Sequence, residues 1–134
     1  MKSKMEQGNG ITFERLVEAA KNEDWDFVDG NINESHLTRE QVDWVLQKGI
    51  YDEDQNVRDL AATILDRSDE SLSQEEAEKV EKVMAEDSYH IVKYRLTIAL
   101  YKRGYKTPIV EKMMSESKED PDVGGLAKNF LKIR

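Results

Sequence analysis

The chain has 134 residues, net charge −8 and no cysteine, and its side chains are 38% hydrophobic and 36% charged. That length buries a core without covalent staples, and the missing thiols exclude disulfides, thiolate catalysis and Cys-ligated zinc, which suits a cytoplasmic location. Two prolines and seven glycines leave too few turn residues for an all-β fold, and no apolar run reaches the length of a membrane span.

In chain order, residues 1–10 read as a flexible tail, with two lysines but none of the apolar stretch of a signal peptide. Asn33-Glu34-Ser35 therefore reads as a chance match to a glycosylation site. Phe13, Leu16, Val17 and Ala20 predict a helix over 11–21. A short segment follows at Trp25, Phe27 and Val28, then a polar loop from Gly30 to Leu37. Thr38 and Gln41 have the spacing of a capping box, and Val42, Val45 and Leu46 predict a helix over 38–48. Asp54 caps the next helix, 54–67, whose inner face is Val57, Ala61, Ile64 and Leu65.

Ser73 and Glu76 form a second capping box before Ala77, Val80, Val83 and Met84, predicting a helix over 73–86. Residues 88–104 read as a helix, apolar almost all round over 91–101, with Leu96 and Leu100 in the core. Thr107-Pro108 is a cap followed by proline at the first helical position, opening 107–117 with Ile109, Val110, Met113 and Met114. Asp120-Pro121 repeats the device before Val123, Ala127, Phe130 and Leu131, predicting 121–132.

The helices 54–67, 88–104 and 121–132 align with one another. Their anchor valines are Val57, Val92 and Val123, and an acidic element precedes each: Asp52-Glu53-Asp54, Glu86-Asp87 and Asp120-Pro121-Asp122. A degenerate unit anchored at Phe27 precedes them. The stretch "DEDQNVRDLAATIL" resembles the HEAT-like repeat in the short form found in the phycobilin lyase family: an acidic or proline turn, Val-Arg, two variable residues, two small residues, one variable residue, then small-Leu, with Ile64 in place of one small residue. The second copy has Lys93 for the arginine, and the third has Gly124. The resemblance implies one all-α domain over 11–134, a right-handed superhelix of about three and a half helix pairs. Its units are 11–37, 38–68, 73–104 and 107–133. Stacking repeats complete one another's cores, which is why such units recur.

The chemical candidates are few. His36 and His90 sit in no metal-ligand spacing and read as ordinary surface residues. Asp52-Glu53-Asp54 begins like a calcium loop, but Val57 and Thr63 stand where such a loop needs Gly and Glu. Gly124-Gly125 inside a helix reads either as a close approach or as a weakened terminal repeat. Lys93, Arg95, Lys102, Arg103 and Lys106 interleave with Tyr89, Tyr94, Tyr101 and Tyr105, a basic and aromatic constellation that fits core, protein partner or nucleic acid.

These readings predict a non-catalytic scaffold that binds another protein, with no cofactor and no metal. Repeat positions three, seven and ten return to one helical face. They select Asp59, Thr63 and Asp66, then Tyr94, Ile98 and Tyr101, then Gly125, Asn129 and Lys132 as one exposed surface, bordered by Arg95 and Lys102. Nucleic-acid binding, as in HEAT-like DNA-repair glycosylases, is the alternative, and the overall acidity argues against it. A tetrapyrrole-lyase role follows from family resemblance alone. The charge divides as −4 over residues 1–50, −9 over 51–87 and +5 over 88–134, which predicts weak, salt-sensitive head-to-tail self-association.

Overall fold

The computed structural model describes residues 13–32 and 39–133. The expectations on residues 1–12, on the polar loop with His36, on the Thr38 cap and on the side chains of 129–134 lie outside the described residues. Every regular element among the described residues is helical, and no helix there is long and apolar enough to cross a membrane. The chain divides into two compact units, Met1–Ser68 and Asp69–Arg134.

The first unit contains α1 (Phe13–Lys21), α2 (Trp25–Asn31), α3 (Arg39–Gln47), a 3-10 turn (Gly49–Tyr51) and α4 (Gln55–Arg67). The segment at Trp25 is longer than expected, because Asp24 accepts a hydrogen bond from the Phe27 N–H and opens a two-turn helix. Helix α4 packs on α1, α3 and the 3-10 turn. It buries Val57 and every residue from Asp59 to Asp66, with the expected inner face of Val57, Ala61, Ile64 and Leu65 fully covered. Asp54 caps it as predicted, accepting from the Asn56 N–H.

The second unit contains α5 (Gln74–Glu86), α6 (His90–Lys102), α7 (Pro108–Ser117) and α8 (Gly124–Ile133). The Ser73 and Glu76 side chains make both bonds of the predicted capping box. Thr107 caps α7 through the Val110 N–H, with Pro108 at its first position. Helix α6 packs against α5 and α7, and α7 against α8. Val92 and Leu96 to Leu100 are buried, and Leu96 and Leu100 lie in the core as expected.

Helices α6 and α8 differ from the sequence reading in where they start. Helix α6 starts at His90 because the Asp87 carboxylate accepts from the Tyr89 N–H and holds the entry in a side-chain-closed turn. Helix α8 starts at Gly124. Asp120 opens a turn ahead of it, and the Gly124 N–H already donates to the Asp120 carbonyl.

The three anchor valines, 57, 92 and 123, are buried, as are Ala61, Leu96 and Ala127 four residues on. The pattern that suggested repetition therefore marks the inward side of α4, α6 and the α8 segment.

Candidate functional site

Helix α6 carries the residues singled out above. Four residues are close to one helical turn, so His90, Tyr94, Ile98 and Tyr101 share one stripe. Ile98 is a correction to the sequence reading. It was expected at the surface but is 1% exposed, forming a core cluster with Met114, Val123 and Ala127. The cause is packing: the variable face of α6 is the side that this cluster covers. Tyr94 and Tyr101 pack on the edge of the cluster, half-buried, and Arg95 and Lys102 are also half-buried. The Lys106 ammonium lies 4.5 Å from the Tyr101 ring centroid, a cation–π contact.

Asp59, Thr63 and Asp66 need the same correction. Expected as the acidic flank of an exposed surface, they are 6%, 4% and 8% exposed. Helix α4 is covered nearly all round, so no variable face remains. The Thr63 hydroxyl turns inward and donates to the Asp59 carbonyl at 2.9 Å.

The electrostatic feature at the start of α6 was not anticipated. His90 Nδ1 lies 2.5 Å from Asp120 Oδ2, and its Nε2 lies 3.6 Å from Asp122 Oδ2. Asp120 is held firmly. Its other carboxylate oxygen accepts from the N–H groups of Asp122 and Val123, at 2.8 and 2.9 Å, and its side chain is 5% exposed. Burial pushes its carboxyl up. The hydrogen bond from His90, the two backbone N–H groups and the His90 charge outweigh that, and hold it below the ordinary carboxylate value. Tyr94, one turn along, has its phenol pushed up by burial, by the charges of Glu116 and Asp120 and by a hydrogen bond to Glu116.

A second polar cluster joins α5 to the loop before α7. Glu81 accepts from the Tyr105 hydroxyl at 2.8 Å and from the Thr107 hydroxyl. Burial first, then the Glu81 bond and charge and the charge of Glu78, push Tyr105 up to about 12. Arg103 donates to the Glu70 carbonyl at 2.9 Å and, through its other arm, to the Ala99 carbonyl. Two members of the basic, aromatic constellation, Arg103 and Tyr105, thus have structural roles.

The sequence pattern did not single out His90 as a site residue, since its partners lie 30 and 32 positions away. The one available signal was the recurrence of an acidic turn before each anchor valine, which puts Asp120-Pro121-Asp122 ahead of the next valine in the series after the helix that His90 opens. No family model, curated protein or solved structure matches the chain.

Proposed function

We propose that the chain is a non-catalytic protein-binding module built from HEAT-like helix pairs, and that it binds a partner through Tyr94, Arg95, Tyr101 and Lys102 on α6. The observation that carries this reading is the pair of half-buried rings seated on the edge of a well-packed cluster, beside basic side chains. A ring fixed from below loses little conformational freedom when its outer face is covered, and buried aromatic and arginine anchors carry much of the energy of known interfaces. The partner that fits is an acidic segment with an apolar or aromatic anchor. The buried valines and small residues of α3/α4, α5/α6 and α7/α8 support the repeat reading.

The test is a photo-crosslinking residue placed at Tyr101, with the same residue at Tyr51 as control, since Tyr51 is 54% exposed and lies in the other unit. Position 101 is expected to give a discrete protein adduct in a native extract, lost with Arg95→Ala and unaffected by nuclease. An adduct removed by nuclease returns the surface to the nucleic-acid reading. Equal adducts from positions 51 and 101 overturn the site.

A further inference from the structure

The imidazole of His90 has two nitrogens in unequal surroundings. Nδ1 faces Asp120, a buried carboxylate already fixed by two backbone N–H groups. An ionised carboxylate only accepts, so Nδ1 must carry the proton and donate it. In the neutral ring the lone pair is then on Nε2, which faces the 55% exposed Asp122 across 3.6 Å. Donors from all three side chains lie within 4.8 Å of one another. A carboxylate that orients a histidine while the far nitrogen faces outward is the outer-shell arrangement that fixes metal-ligating histidines.

The geometry points to a divalent transition-metal site in which His90 Nε2 and Asp122 are the ligands and Asp120 is the positioning residue. The 3.6 Å gap spans two metal–ligand bonds of about 2.1 Å at an angle a little wider than tetrahedral. Both ligand side chains are open to solvent, so water completes the coordination. One imidazole and one carboxylate select a zinc-like ion over calcium or magnesium, which take oxygen donors. Two protein ligands make the site weak and reversible, and protons compete for Nε2, so affinity falls as pH falls. The site is independent of the partner-binding reading, although it lies one helical turn from Tyr94.

Titration calorimetry of the full chain with zinc chloride, and with calcium chloride as the oxygen-ligand control, tests it. The expected result is one saturable zinc site and no calcium heat at the same concentrations. His90→Gln is expected to abolish the zinc heat, and Asp122→Asn to weaken binding on the order of tenfold or more. His36→Gln, at the other histidine of the chain, leaves it unchanged. Asp122 is solvent-accessible, so a melting temperature close to the parent's is expected for Asp122→Asn; His90→Gln gives up the Asp120 contact, so its folding is verified by its helical circular dichroism spectrum. Absence of saturable zinc binding, heat that survives His90→Gln, or heat that disappears with His36→Gln overturns the site.

Discussion

The acidic turns ahead of α4 and of α8 both lie three residues before a buried valine, Val57 and Val123, yet they are closed differently. Ahead of α4, Asp54 accepts from the Asn56 N–H, and the Arg58 guanidinium reaches back to the carbonyls of Asp52 and Glu53 at 3.0 and 3.2 Å. Everything needed lies within seven residues, and the cation is permanent. Ahead of α8 the arginine position is Gly124, and the partner of the aspartate is His90, from α6. One turn is a local device. The other joins two helices that are distant in sequence.

The largest expected difference follows from how much each aspartate satisfies. Asp54→Ala removes an ordinary cap and should cost about 1 kcal/mol. Asp120→Ala removes a buried acceptor of two backbone N–H groups and the His90 partner, and should cost about 2–3 kcal/mol. Urea denaturation of the two variants measures both. Equal losses would mean that the His90 contact adds nothing to a common cap.

Glycine substitution sharpens the same contrast with opposite signs. A Cβ at Gly124 would lie 2.6 Å from the Lys118 carbonyl oxygen, whereas nothing lies within 4 Å of one at Gly125. The missing arginine is thus tied to a close backbone approach. Gly124→Ala should cost about 1–3 kcal/mol through overpacking, while Gly125→Ala should gain up to about 1 kcal/mol of helix propensity. The expected order of melting temperatures is Gly125→Ala above the parent and Gly124→Ala below it. The reverse order would show that α8 does not press on the end of α7.

The third effect is smaller and depends on pH. The folded Asp120 carboxyl lies below its ordinary value of 3.8. A group depressed by folding contributes stability that is fully present above the unfolded value and is lost as pH falls through the folded one. Between about pH 5 and the acid side of pH 4, the parent should therefore lose stability more steeply than Asp120→Asn. Parallel curves for the two proteins would remove the ionised carboxylate from the account of this turn.

The same contrast explains what was legible in the sequence. Helix periods, the Ser73–Glu76 box, the Thr107 cap and the buried valines were readable because each rests on contacts within one or two turns of chain. The His90–Asp120 contact and the Glu81 cluster were not, because they depend on packing between elements 24 to 32 residues apart. Ile98 and Asp59 show a subtler failure. Helical spacing puts each with residues three and four positions away on one face, but periodicity says only that residues share a face. Whether that face is covered depends on how many neighbours the helix has, and α4 has three.

The smallest expected effect comes from the other ends of the helices, where the two units use one motif with different residues. After α1, the Glu23 N–H donates to the Ala20 carbonyl and the Asp24 N–H to the Ala19 carbonyl. After α6, the Gly104 N–H donates to Tyr101 and the Tyr105 N–H to Leu100. Both are the paired closure of a left-handed helix terminus. Gly104 adopts φ +85° and Glu23 φ 60°. A side chain in that region costs about 1–2 kcal/mol, whereas glycine adopts it freely but gives up about 0.5–1 kcal/mol through the flexibility of the unfolded chain. Glu23→Gly should therefore stabilise the protein, by less than about 1 kcal/mol. Gly104→Ala should destabilise it by a similar net amount, up to about 1 kcal/mol, since it adds the strain that Glu23 already carries less the flexibility that glycine gives the unfolded chain. Both values can be read as shifts in the urea midpoint at unchanged slope. A loss of stability in Glu23→Gly would show that the Glu23 side chain offsets the backbone strain, and that the two helix ends are not the same motif energetically.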